Sequence, residues 1–138
     1  MFYLDSCICI DFLRGRNKLI YQKMREGSPA DFQLPSIVVA ELWFGAEHSA
    51  NPQKELAIVA EFIETFPVAE FDAASTREYG RIRQFLGSKG QIIGDRDMLI
   101  AATAIAHRAT LVTNSIIEFA RIPNLLLESW AEIDCSKQ

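Results

Sequence analysis

Cysteine, histidine and positive charge are all in short supply in this 138-residue chain, and each shortage excludes something. The three cysteines, Cys7, Cys9 and Cys135, are an odd number, and two of them stand two residues apart. They can build neither a disulfide framework nor a four-ligand zinc site. The two histidines, His48 and His107, match no zinc spacing with them. Cys7 and Cys9 therefore read as small buried hydrophobes in a reducing compartment. Lysine and arginine total 14 against 18 acids, a formal charge of -4. That balance excludes a strongly basic nucleic-acid clamp, although an acidic protein can still act on phosphates where metal ions supply the positive charge. No apolar run approaches the roughly 18 residues of a membrane span. The first residues also lack the basic region, apolar stretch and small-residue cleavage site of a signal peptide. The expected location is the cytoplasm.

What the chain does have is apolar residues: 49% of the composition is hydrophobic, with nine phenylalanines. That is enough to fill one core, and the expectation is a single domain over 1–138. Met1-Phe2-Tyr3-Leu4 reads as a buried strand ending at Asp5. A helix follows from Ser6 to Leu13, closed by Gly15, and a second opens at Asn17. After the break Gly27-Ser28-Pro29, Phe32-Gln33-Leu34 forms strand two, and Ser36 is the expected N-cap of a helix over 37–47. Asn51-Pro52 starts another helix, through Thr65. Strand three is expected at 67–71, and Asp72 caps a helix from Ala73 to about Leu86. Gly94 precedes a helix from about Arg96 to Arg108, Thr110 to Thr113 is strand four, and Leu125 to Glu128 is strand five. Strands alternating with helices, several of them apolar on both faces, specify an α/β domain with a mostly parallel five-stranded sheet covered on both sides. In such sheets ligands bind beyond the carboxyl ends of the strands, the rim that carries Asp5 and Thr113-Asn114.

Three acids sit in apolar surroundings. Asp5 ends an apolar strand. Glu41 interrupts the run Ile37-Val38-Val39-Ala40-Glu41-Leu42-Trp43-Phe44. Asp97 opens the helix Met98-Leu99-Ile100-Ala101-Ala102 and shares a face with Ile100, Ala101 and Ala104. Each has an ordinary structural explanation: Asp5 as a helix cap, Asp97 as a first-turn acid favoured by the macrodipole, Glu41 paired with a buried arginine. Burying an ionised carboxylate without a partner costs several kcal/mol, so Glu41 requires a compensating cation, donor or solvent opening. Together, three carboxylates on three apolar elements, with no matched basic residues near them in sequence, describe a site for Mg²⁺ or Mn²⁺, which prefer oxygen ligands and keep several waters.

The ordered segments Tyr3-Leu4-Asp5-Ser6-Cys7, Val39-Ala40-Glu41-Leu42-Trp43, Ile93-Gly94-Asp95-Arg96-Asp97-Met98-Leu99-Ile100-Ala101, Leu111-Val112-Thr113-Asn114-Ser115 with Glu118-Phe119, and Leu125 to Trp130 resemble the PIN-domain toxins of the VapC type, from end to end. The resemblance implies a three-layer α/β/α sandwich. It also implies a Mg²⁺- or Mn²⁺-dependent endoribonuclease acting on tRNA or rRNA, and a homodimer neutralised by a VapB-like antitoxin whose C-terminal segment enters the active-site groove. Carried over, Asp5, Glu41 and Asp97 become the metal-binding acids. Two departures stand out. The family's Asp-Thr-Asn start reads Asp5-Ser6-Cys7, and the position after Thr113-Asn114 is Ser115 rather than an acid, leaving Glu118, one turn on, as the substitute catalytic residue. Asp95 is expected to face solvent or cap a helix.

Water would attack the phosphorus in line while the 3′ oxygen leaves. Ser6, Thr113, Asn114 and Ser115 supply polar contacts to RNA or antitoxin, and Arg14 and Arg16 are the better-placed cations. Arg77, Arg81 and Arg83 share a later helix and fit an ordinary solvated face equally well. Adjacent Trp43 and Phe44 cannot both face one way, so one of them is expected at the surface. A rival function is a catalytically weak module of the same fold that mainly sequesters its antitoxin, favoured by the departures at Cys7 and Ser115.

Overall fold

The computed structural model describes residues 1–130; Cys135 lies outside the described residues. Five strands, β1 (Phe2–Leu4), β2 (Phe32–Pro35), β3 (Val68–Ala69), β4 (Thr110–Val112) and β5 (Leu126–Glu128), form one parallel sheet in the order β3-β2-β1-β4-β5. The helices are α1 (Ser6–Arg14), α2 (Lys18–Glu26), α3 (Ser36–Glu47), α4 (Pro52–Thr65), α5 (Ala73–Ser88), α6 (Asp95–Ala106) and α7 (Ile116–Phe119). The chain steps outward from β1 to β2 and β3, then returns to lay β4 on the other side of β1. Right-handed crossovers put the connections made in opposite directions on opposite faces, which yields the three layers. Accordingly α1 packs on α2 and α3, α3 on α4, and α5 on α6. Leu4, Ile8, Ile20, Leu34, Leu86, Ile100, Leu111 and Phe119 are fully buried around the sheet.

Local chemistry starts and stops these elements where the side chains dictate. Asn17 Oδ1 accepts from the Leu19 and Ile20 amides, Asn51 Oδ1 from Lys54, and Asp72 Oδ1 from Ser75, so all three expected caps form. Gly15 closes α1 in the left-handed region at φ 61°, where its amide bonds back to Asp11 and Phe12. Ser36 is a correction: Pro35 precedes the helix, without a side-chain cap, and Ser36 lies inside α3. β2 runs through Pro35 to pair with Ala69, leaving no room for a separate cap, and the Ser36 hydroxyl instead accepts from the Phe71 amide. Strand three is shorter than expected. The sixth helix ends at Ala106, because His107 and Arg108 leave the helix and Arg108 takes φ 57°. Trp43 and Phe44 are also corrected: both are exposed, 37% and 65%, because the buried stripe of α3 is Val38, Leu42 and Ala46.

Candidate active site

Strand order reverses between β1 and β4. The connections leave these neighbours in opposite directions and open a crevice beyond their carboxyl ends. The register pairs Leu4 with Val112, so the next residues, Asp5 and Thr113, stand side by side at the mouth of that crevice. The Asp5 amide donates to Val112 O at 3.0 Å, and the Thr113 amide to Glu128 O at 3.1 Å.

Asp5 is 5% exposed, and its donors hold it firmly. Oδ1 accepts from the Ser6 amide at 2.8 Å, the helix-capping role; Oδ2 accepts from Thr113 Oγ1 at 2.7 Å. Thr113 is fully buried and its oxygen in turn accepts from the Ser115 amide at 3.0 Å. It therefore acts through Asp5 rather than by touching a ligand. The thiol of Cys7 adds a weak donor, with Sγ 3.6 Å from Asp5 Oδ2. Burial, then the Asp5 charge, pushes that thiol up to about 11, so it keeps its proton at neutral pH and can serve as a donor.

Glu41 borders the buried stripe of α3, three residues after Val38, and its side chain is 23% exposed. Ser6 Oγ donates to its Oε2 at 3.4 Å, and Arg96 Nη1 lies 3.8 Å from the same oxygen. Burial raises its proton affinity, and the charges of Asp5 and Asp97 raise it further; Arg96 and Ser6 oppose the rise. Asp97 occupies the first turn of α6, a helix buried from Met98 to Ala104 except at Leu99. Burial, then Asp5, then Glu118 raise its proton affinity, and Arg96 lowers it. Asp5, Glu41 and Asp97 thus feel one another across a single rim, and Glu118 reaches it through Asp97. Glu118 itself is exposed on the four-residue α7.

Other expected contacts are scattered. Asn114 is exposed and donates to Asp11 Oδ2 at 3.4 Å, while Ser115 is exposed before α7. Arg14 borders a groove of about 250 Å³ whose lining includes Glu41, Leu42, Ile10 and Leu13; Arg16 is exposed beyond Gly15. Asp95 faces solvent, bound by Tyr79 Oη at 3.2 Å. Arg96 adjoins Asp97 in the chain and lies beside Glu41, which corrects the reading that the acids have no basic residue near them. Only the approach of α6 to α3 brings it to Glu41.

Among the described residues no three Asp, Glu, His or Cys side chains close into a tight metal cage. The recess of about 280 Å³ lined by Glu41, Gly94, Asp95, Arg96 and Asp97 offers oxygen donors, and the Cys7 thiol beside Asp5 keeps its proton. That donor set fits a hard cation held by one or two carboxylates and water, and does not fit a softer thiolate- or imidazole-seeking metal.

A model of the PIN domain matches residues 2–125. The chain belongs to the PIN-domain family. Ribonuclease VapC2 of Rickettsia felis is 38% identical over 94% of this chain and 98% of its own length. The tRNA(fMet)-specific endonuclease VapC of Salmonella typhimurium is 33% identical over 94% and 97%. Among solved structures, the DNA-bound VapBC2 complex of Rickettsia felis superposes with a TM-score of 0.87 over 94% of this chain and 99% of that one. The DNA-bound VapBC complex of Salmonella typhimurium superposes with 0.89 at 33% identity, over 94% and 98%. These curated relatives are named VapC, as the ordered motifs implied. Among the described residues no helix is long and apolar enough to cross a membrane.

Proposed function

We propose that this PIN-domain chain is a Mg²⁺- or Mn²⁺-dependent endoribonuclease of tRNA or rRNA, the toxin of a pair neutralised by a VapB-like antitoxin. The observation that carries this reading is the rim itself. Asp5 is clamped by Thr113 and the start of α1, Glu41 and Asp97 stand within electrostatic reach of it, and Glu118 reaches Asp97. Carboxylates kept in mutual repulsion are a standing cost that a bound cation removes. The names of the curated relatives, ribonuclease and tRNA-specific endonuclease, support the same chemistry.

Asp5 and Asp97 are the direct metal ligands in this proposal, with Glu41 and Glu118 binding directly or through water. A cation held there would lower the pKa of its water and offset charge on the scissile phosphate. Glu41 orients the attacking water and accepts its proton. The water oxygen bonds to phosphorus as the bond to the 3′ oxygen breaks. Thr113 keeps Asp5 in place, and Ser6 does the same for Glu41. The groove between α1, α3 and α4, apolar along Ile10, Leu13 and Leu42 with Arg14 at its edge, suits an antitoxin segment carrying an apolar anchor and a carboxylate. Exposed Trp43 and Phe44 provide an apolar surface for a homodimer.

The test is cleavage of total tRNA and of rRNA by antitoxin-free protein in Mg²⁺, Mn²⁺ or EDTA, beside Asp97→Asn. Cuts that need metal and vanish in the folded variant support the proposal. Cutting that persists in EDTA refutes the carboxylate mechanism, and no cutting of tRNA or rRNA in any metal favours the sequestering module.

A further inference from the structure

Arg96 is the cation that the acid rim keeps for itself. Its guanidinium stands 3.8 Å from Glu41 Oε2 and borders the same recess as Glu41 and Asp97. Among the described residues no hydrogen bond holds that guanidinium and its ion pair is with Glu41 alone, and the side chain is 70% exposed, so the contact is a loose one. An exposed ion pair at that distance contributes little to stability. It does bias what the rim will accept. A mobile positive charge beside Glu41 competes with a divalent cation, and beside a cation it becomes available to a phosphate.

We infer that Arg96 alternates between two anions, pairing with Glu41 in the metal-free protein and with a substrate phosphate next to the scissile bond when the cation occupies the rim. The inference rests on the ribonuclease reading and adds to it a residue that binds substrate directly. Arg96 stands at the second residue of α6, next to Asp97, and the recess it borders is open to solvent. The side chain therefore swings without unpacking any core. This arrangement also answers how an acidic rim draws in a polyanion: the positive charge is delivered at the site, and only after the acids have been neutralised. Arginine suits the task because its planar fork pairs equally well with carboxylate and phosphate.

The experiment compares wild type, Arg96→Gln and Arg96→Lys, all checked for an unchanged fold by circular dichroism. The first readout is Mn²⁺ affinity without RNA, from the free-Mn²⁺ electron paramagnetic resonance signal. Arg96→Gln should bind Mn²⁺ about fivefold more tightly, the factor expected when a unit-charge pair with Glu41 at about 4 Å in water no longer has to be broken. The second readout is kcat/KM for total tRNA against KCl concentration. Arg96→Gln should lose about fivefold at about 0.1 M salt, and the log–log slope should flatten by about 0.7, the counterion release of one single-strand phosphate contact. Arg96→Lys, which keeps the charge but not the fork, should keep the wild-type Mn²⁺ affinity and salt slope. Unchanged or weaker Mn²⁺ binding by Arg96→Gln overturns the competition with Glu41. An unchanged salt slope in the glutamine variant, with wild type cutting normally, overturns the phosphate contact. Wild type that cuts no RNA overturns the ribonuclease reading instead, a result distinct from either.

Discussion

Replacing Thr113 with valine removes one hydroxyl and leaves the shape of a fully buried side chain nearly unchanged. The lost group donates at 2.7 Å to Asp5 Oδ2, on a carboxylate only 5% exposed. A hydrogen bond to a charged group contributes about 1.5–3 kcal/mol, and a buried acceptor left short of a donor sits at the upper end of that range. The Ser115 amide loses its acceptor as well, but Ser115 is exposed, so water can replace it. Thr113→Val should therefore cost about 2–3 kcal/mol, which lowers the thermal midpoint of a domain this size by about 6–12 °C. Thr113→Ser keeps the donor and gives up one buried methyl, at about 1 kcal/mol. Urea unfolding followed by circular dichroism measures both, provided the slope with denaturant is unchanged. A double-mutant cycle with Asp5→Ala isolates the pair, and the expected coupling is about 1.5–3 kcal/mol. If serine costs more than valine, or the cycle gives no coupling, then packing rather than the hydroxyl holds Asp5, and the argument for a pre-positioned carboxylate fails.

Asp97→Asn should stabilise the metal-free protein at neutral pH while abolishing RNA cleavage. Burial, Asp5 and Glu118 all raise the proton affinity of Asp97 in the fold, so its favourable contribution is present below the ordinary value of 3.8 and is lost as pH rises through the raised pKa. The gap between variant and wild type in a melting series should accordingly open as pH climbs above 3.8 and close in acid. Mn²⁺ should raise the wild-type midpoint more than that of the variant, and EDTA should reverse the rise; equal responses would place the ion elsewhere. Asp72→Asn should do the opposite with pH. Hydrogen bonds from Ser75 and then His107 hold Asp72 down at about 2, so its contribution is present above 3.8 and fades as pH falls toward 2. The variant should melt earlier than wild type at pH 7 and converge with it in acid, and a constant difference would mean that the carboxylate charge is not what matters.

Much of the fold was legible because its signals are local. Asn17, Asn51 and Asp72 cap helices with their own side chains, Gly15 supplies the left-handed residue that closes α1, and the strands are short apolar runs between turn residues. Asp5, Glu41 and Asp97 were legible as candidates for the same reason: an acid inside an apolar run is a local anomaly with an energetic cost. The ordered motifs extended that reading to the family.

What required the tertiary structure is everything decided between elements. Ser36 has the residue type of a cap, and only the pairing of Pro35 with Ala69 shows that its hydroxyl is needed by Phe71 instead. The winding of α3 half-buries Glu41 and exposes both Trp43 and Phe44, an outcome set by which stripe meets the core. Cys7, a departure in the motif, proves to be a weak donor to Asp5, since burial keeps its thiol protonated. Arg96 is beside Asp97 in the chain yet acts on Glu41, 55 positions away, because α6 passes α3 at the switch point. Local sequence chose the acids and the elements that carry them. The reversal of strand order at β1 and β4 gathered those acids onto one rim, because charges interact through space and only the folded chain sets those distances.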